Sequence, residues 1–269
     1  MSQLVYNLGR KYYEGGASPS NLGGYVSKSM LWEFDQSPWK WFHSGPKETT
    51  PAMEFGSLVH CLALTPTEYA ETYAVSEYDS FRTKAAQEWR DSMEAQGKVC
   101  ITQSQLNAAN ECAESILNDL DLQPLFVTGY KTEVAVYSQI GETKVRGMID
   151  LVPQAGDDLV DIKTTSSIGK ADDLASLVVR RGYHFQAALY LDLFNAATGL
   201  ERTNFVLAFV ETSAPYETAI VNLSGDFIEQ GRIGYMNAIA KYQKCVSEKM
   251  FPKAVEGIQE LSYPKWAIK

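Results

Sequence analysis

Apolar positions recur every three or four residues through the first part of the chain and alternate through its middle. Between Ser27 and His43 they fall at Met30, Leu31, Phe34, Trp41 and Phe42, the stripe of helices that bury one face. Ser37-Pro38 interrupts the run, so a short helix, a break and a second helix opened by the proline are expected. Thr50-Pro51 supplies an N-cap and a first-turn proline for a third helix through MEFGSLVHCLAL, ending at Thr65-Pro66. Thr83 to Gly97 reads as a polar helix, and Thr102-x-x-Gln105 as the capping box of a helix reaching about Leu120. The period then shortens to two. Glu133 to Ile140, Lys144 to Val152 and Asp158 to Lys163 read as strands joined by turns at Gly141-Glu142 and Pro153 to Asp157. Helices over Asp172–Arg181 and Tyr183–Ala197, strands over Asn204–Val210 and Thr218–Val221, and a long helix over Phe227–Glu248 complete the pattern.

This order implies one α/β (α+β) domain over residues 27–250, a helical N-terminal part packed on a mixed central sheet flanked by helices. Residues 1–26, rich in Gly, Ser, Asn and Tyr, read as a loosely structured arm, and residues 251–269 as an irregular tail. The run FVLAFV, Phe205 to Val210, suits a buried strand and falls far short of the roughly 20 residues of a membrane span. The N-terminal residues lack the basic-then-apolar order of a signal peptide, so a soluble protein of the cytoplasm, away from membranes, is expected.

Charge narrows the field. Twenty-four basic side chains against thirty-three acidic ones leave a net charge of −9, so contact with nucleic acid would need a local basic patch. Cys61, Cys100, Cys112 and Cys245 have neither zinc nor iron–sulfur spacing and read as free thiols. With His43, His60 and His184 as the histidines, any metal site needs carboxylates.

Such carboxylates stand at Asp150 and, beyond ten residues, in Asp161-Ile162-Lys163. Residues two apart on a strand share a face, which puts Asp161 with Lys163 and leaves Val160 with Ile162 on the apolar side. The turn between the strands brings Asp150 beside Asp161. Two carboxylates held that close repel unless a cation sits between them, and oxygen donors favour Mg²⁺ or Mn²⁺. Lys163 could orient a water and offset phosphate charge, or accept a proton if its pKa were lowered. By spacing alone, a salt-bridged surface would read the same way.

Further segments point to the same site. Tyr183-His184-Phe185-Gln186-Ala187-Ala188-Leu189-Tyr190 carries Q-x-x-x-Y, Gly56-Ser57-Leu58-Val59-His60 carries G-x-x-x-H, and Ser27 to Trp41 carries S-x-S-x-L-x-x-F-x-x-S-P-x-x-W. With Asp150 and Asp161-Ile162-Lys163-Thr164, and in this order, the chain resembles the PD-(D/E)xK nuclease superfamily. The likeness is to its RecB-like branch and, around Phe55 to Tyr69, to RecE-type phage and prophage exonucleases. The resemblance implies a restriction-endonuclease-like core. It implies that Asp150, Asp161, the Ile162 carbonyl and His60 bind Mg²⁺, with Mn²⁺ tolerated because of the imidazole. Lys163 would act on the nucleophilic water. Gln186 and Tyr190 would fix phosphates or the lysine, and Glu133, opening its strand, would serve a second metal or its water. Ser57 and Thr164 would contact DNA. Ser37-Pro38 stands where iron–sulfur members have Cys-Pro, so no cluster is expected, and no Walker A sequence is present.

The resemblance further implies an exonuclease that digests linear duplex DNA 5′ to 3′ and leaves 3′ single strands in a bacterial host cell. A single-strand annealing recombinase would be its partner, and a ring-shaped trimer or tetramer its assembly. Lys144, Arg146, Arg180, Arg181 and Lys170 flank the motif strands and could form the basic patch, although Arg180-Arg181 would equally answer a helix dipole. The Trp32, Trp39 and Trp41 cluster reads as packing, or as a wedge stacking on an unpaired base. Two alternatives stay open: an endonuclease or opposite-polarity nuclease on the same fold, and a non-catalytic DNA-binding protein.

Overall fold

The computed structural model describes residues 2–6, 14–45, 48–127 and 129–263. A short strand β1 (Gln3–Val5) precedes the helices α1 (Lys28–Gln36), α2 (Pro38–His43), α3 (Pro51–Leu64) and α4 (Tyr69–Thr72). Strand β2 (Tyr73–Ser76), helix α5 (Lys84–Glu94), strand β3 (Val99–Thr102) and helices α6 (Gln103–Leu117) and α7 (Pro124–Val127) follow. Then come β4 (Tyr130–Ile140), β5 (Thr143–Pro153), β6 (Asp158–Thr165), α8 (Ala171–Arg181), α9 (Tyr183–Thr198), β7 (Asn204–Glu211), β8 (Thr218–Asn222) and α10 (Gly225–Glu248).

The helix starts follow their caps. The side-chain oxygens of Ser27, Ser37, Thr50 and Thr83 accept from the backbone amides of Met30, Lys40, Met53 and Ala86. Thr102 and Gln105 form the reciprocal capping box of α6. Each cap satisfies an amide that the helix leaves without an internal partner.

The main sheet has the order β1-β4-β5-β6-β7-β8; β6 and β7 run parallel and the other neighbours antiparallel. Strand alternation divides its side chains between two cores. Leu159, Phe205, Leu207 and Phe209 face a layer built from α1, α9 and α10, with Phe34, Phe185, Leu189 and Tyr235. Val160, Ile162, Val206, Ala208 and Val210 face α3 and α6, with Leu58, Val59 and Ile116. The result is the expected mixed sheet between helical layers.

The N-terminal residues depart from the loose arm expected of them. Gln3–Val5 pairs with Ala135–Tyr137 as an edge strand, and Gly16 with Tyr25 and Val26 with Val145 form bridges that lace 16–26 to β5. A separate parallel pair, β2 with β3, was not anticipated. Among the described residues no helix is long and apolar enough to cross a membrane.

Two close contacts fix the β5–β6 hairpin and the α9–α10 pair. The buried guanidinium of Arg202, in the α9–β7 loop, donates to the carbonyl oxygens of Asp158 (2.5 Å) and Pro153 (2.6 Å), clamping both ends of the turn. In α10, Gly231 lies against the backbone of α9: a Cβ there would sit 2.1 Å from the His184 carbonyl oxygen.

Candidate functional site

Strand alternation breaks at Asp150. Ile149 belongs to the core beneath α9 and Leu151, two residues on, to the core beneath α3. Opposite Asp150 in the β4–β5 register lies Glu133, since Thr132 pairs with Leu151 and Val134 with Ile149. Glu133 has φ +49°, a left-handed conformation that costs a non-glycine residue about 1 kcal/mol. The two strands therefore kink together where they carry facing carboxylates. β5 and β6 share a single bridge among the described residues, Leu151 with Val160. Where the ladder opens, the Asp150 carboxylate takes the place of a strand acceptor: its Oδ2 accepts from the Ile162 amide at 2.7 Å.

α3 brings in the imidazole. Gly56 lies on β6, its missing Cβ leaving 3.3 Å to the Thr164 hydroxyl. One turn on, His60 Nε2 lies 3.1 Å from the Ile162 carbonyl oxygen and Nδ1 lies 3.6 Å from Asp150 Oδ2. A carbonyl only accepts, so Nε2 carries the proton. In the neutral ring Nδ1 then aims a lone pair at a carboxylate oxygen, an arrangement that a proton or a metal cation between them would satisfy. His60, Glu133 and Asp150 each offer a ligand atom, all within 4.8 Å of one another. The Ile162 oxygen keeps a second lone pair beside them.

Electrostatics points the same way. Burial, then Asp150, Glu68 and Asp161, push the Glu133 carboxyl up to about 8. Burial and Asp161 push Asp150 up to about 6, against the opposing pull of His60, Lys163 and the Ile162 amide. Acids crowded in a low-dielectric site lack countercharge, and an imidazole with two carboxylates is a donor set that suits a divalent cation. The residues present thus fit the metal that the motif implies.

Asp161, 1% exposed, lies outside that donor group. Its Oδ1 accepts from Gln186 Nε2 of α9 at 2.5 Å, and its Oδ2 is in ionic contact with Lys163. Burial would lower the Lys163 pKa, but Asp161 and Asp150 outweigh it and raise the ammonium above its usual range. Lys163 Nζ also stands 5.0 Å from the centroid of the Tyr183 ring. Tyr190, one turn beyond Gln186, packs against Gly147, where a Cβ would lie 2.8 Å from its ring.

The sequence of this site lies within a longer match. Residues 27–263 match the family model of a PDDEXK-like domain of unknown function (DUF3799). The chain belongs to this PDDEXK-like family. Among solved structures, a protein of Eubacterium rectale provisionally named an exonuclease is similar over 97% of this chain and 96% of its own, with TM-score 0.66 and 16% identity. A phage-related exonuclease from Haemophilus somnus 129PT aligns over 84% of this chain and 96% of its own, with TM-score 0.33 and 15% identity. No curated protein matches the chain.

The PDDEXK-like fold distributes the other expected residues unevenly. Ser57, Lys144, Arg180 and Arg181 are exposed, and Thr164 is half-buried beneath Gly56. Arg146, expected in a basic patch, is instead 6% exposed, with its Nη1 donating to the Glu14 carbonyl at 2.8 Å. That bond ties the N-terminal segment to β5 and takes the guanidinium out of any surface patch. Glu133 does not open its strand: β4 begins at Tyr130 and Glu133 sits at the kink inside it. Trp32 and Trp41 pack as expected, edge-on to Phe185 and Phe34, while Trp39 is 40% exposed beneath Lys253. Sequence reasoning missed Glu68, one of the causes of the raised Glu133 carboxyl, and Lys28, which stands near Lys163. Both lie within stretches that carry the resemblance, Lys28 in Ser27 to Trp41 and Glu68 in Phe55 to Tyr69, at positions to which sequence reasoning assigned no chemistry.

Proposed function

We propose that the protein is a divalent-metal-dependent exodeoxyribonuclease. The observation that carries this reading is the convergence of His60, Glu133 and Asp150 beside the Asp161–Lys163–Gln186 chain, at the kink of a PDDEXK-like sheet. His60, Glu133 and Asp150 would hold Mg²⁺, with Mn²⁺ accepted, and the Ile162 carbonyl would be a further donor; the resemblance implies Asp161 as a ligand too, but its oxygens here meet Gln186 and Lys163. Bound there, the ion supplies positive charge to the phosphate and lowers the pKa of a water. Hydrolysis joins a water oxygen to phosphorus, breaks the bond to the leaving nucleoside and delivers a proton to the leaving oxygen. The raised pKa of Lys163 keeps its Nζ protonated, which suits an ammonium that orients water and offsets phosphate charge better than one that accepts a proton. Gln186 holds Asp161, and Asp161 in turn holds Lys163, so the chain fixes the ammonium in place.

Exonucleolytic digestion of linear duplex, 5′ to 3′, with a strand-annealing partner and a ring-shaped assembly, follows the resemblance to RecE-type enzymes. Linear duplex labelled at either the 5′ or the 3′ end, beside closed-circular plasmid, tests this reading. With Mg²⁺ the 5′ label is released first and closed circles survive. Nicking of the circles would establish the endonuclease alternative, and early release of the 3′ label the opposite polarity. DNA binding without cleavage under Mg²⁺ or Mn²⁺ would leave only the binding protein.

A further inference from the structure

The site is bipolar. At one end stand the carboxylates of Glu133 and Asp150, with Glu68 adding to the field on Glu133. At the other stand Lys163, Lys28 and Arg181, the last two at the start of α1 and the end of α8. Lys28 and Lys163 share one aromatic ring: their Nζ atoms lie 5.4 and 5.0 Å from the centroid of Tyr183. Lys28 is also 5.9 Å from the centroid of Trp32 and donates to the Arg181 carbonyl at 2.9 Å. Ring faces and a carbonyl hold the ammonium firmly but do not neutralise it. Among the described residues no carboxylate forms an ion pair with it. Burial, then the Lys163 charge, lower its pKa to about 8 against the opposing pull of Asp161 and Glu33, whose carboxylates act on it without forming an ion pair. An ammonium has three donors, and the Arg181 carbonyl engages one.

We infer that Lys28 is a substrate-binding residue whose ammonium contacts a backbone phosphate of the strand being cut, beside the phosphate served by Lys163. The inference rests on the nuclease reading and adds a specific contact on the basic side of the site. The substrate supplies the directly paired anion that no carboxylate among the described residues provides. The Arg181 carbonyl and the two rings set the ammonium in position before DNA arrives, so little side-chain freedom is lost on binding. Tyr183, by carrying both ammoniums, couples the contact to the lysine at the reacting phosphate.

The test is the salt dependence of duplex-end binding by Lys28→Met, Lys28→Arg and wild type, with Ca²⁺ in place of Mg²⁺ so that DNA stays intact. Lys28→Met removes one phosphate contact, so the slope of log K against log salt becomes shallower by about 1, and affinity near about 0.1 M salt falls roughly tenfold. Lys28→Arg keeps both slope and affinity close to wild type. An unchanged slope in Lys28→Met, with Mg²⁺-dependent cleavage by wild type intact, overturns the contact and leaves the nuclease reading standing. Absence of metal-dependent cleavage by wild type overturns both. Melting curves of the variants separate a lost contact from a lost fold; if Lys28→Met melts early, Lys28→Gln repeats the comparison, and an unchanged slope there overturns the contact as well.

Discussion

At the scale of single residues, the facing pair Glu133 and Asp150 sets the behaviour of the site. Both carboxyls titrate higher in the fold than in an unfolded chain, Glu133 at about 8 and Asp150 at about 6. From about pH 4 upward the metal-free native state therefore binds more protons than the unfolded state, and its stability falls as pH rises through these values. A divalent cation offsets the carboxylate charge, and it binds the ionised forms. The melting temperature of the metal-free protein is thus expected to drop between about pH 5 and pH 9, and Mn²⁺ to raise it more at the alkaline end. Glu133→Gln removes most of that dependence. A Mn²⁺ effect of equal size at both ends would contradict the assignment. Asp150, Asp161 and Lys163 were legible in the sequence because strand alternation and a short turn juxtapose them. The left-handed Glu133 was not, because a kink imposed by a partner strand leaves no trace in the local pattern. Lys28 was hidden for a similar reason: its neighbours Tyr183 and Arg181 are local to another segment.

At the scale of elements, the contacts that aim the site are made by small or unexpected residues. α9 carries Gln186 to Asp161, and α10 presses on α9 through Gly231, where a Cβ would meet the His184 carbonyl oxygen at 2.1 Å. Gly231→Ala has to push two helices apart and is expected to destabilise the protein by about 1–3 kcal/mol, read from urea unfolding. Arg202→Ala leaves the carbonyls of Asp158 and Pro153 without their donor and is expected to cost about 1–3 kcal/mol as well. Melts matching wild type would show that neither contact holds the hairpin or the helix pair in place. Capped helices and the β4–β5–β6 meander were readable, since caps, prolines and alternation lie within a few residues of the elements they define. The pairs β1 with β4 and β2 with β3 were not. Strands of three or four residues are too short for a period, and their partners lie far along the chain.

At the scale of the whole molecule, a chain of net charge −9 concentrates both signs at one place, carboxylates toward α3 and ammoniums toward α1 and α8. The overall balance indicated only that contact with nucleic acid has to be local. The fold supplies that locality by kinking two strands of one sheet and covering each face with different helices. Fold and motif order were legible together because each motif lies on the element its pattern predicts. The division of labour within the site was not, because it depends on which oxygen of Asp161 meets which neighbour. The central claim is that the carboxylate–imidazole group and Lys163 form one hydrolytic site. The most direct measurement is nucleotide release from linear duplex DNA under Mg²⁺ by wild type and by Lys163→Met, beside DNA binding by both in Ca²⁺. The account predicts steady release by wild type, a loss of at least about a hundredfold in the variant, and binding by both. Release by Lys163→Met at the wild-type rate, or none by wild type under Mg²⁺ or Mn²⁺, would contradict it.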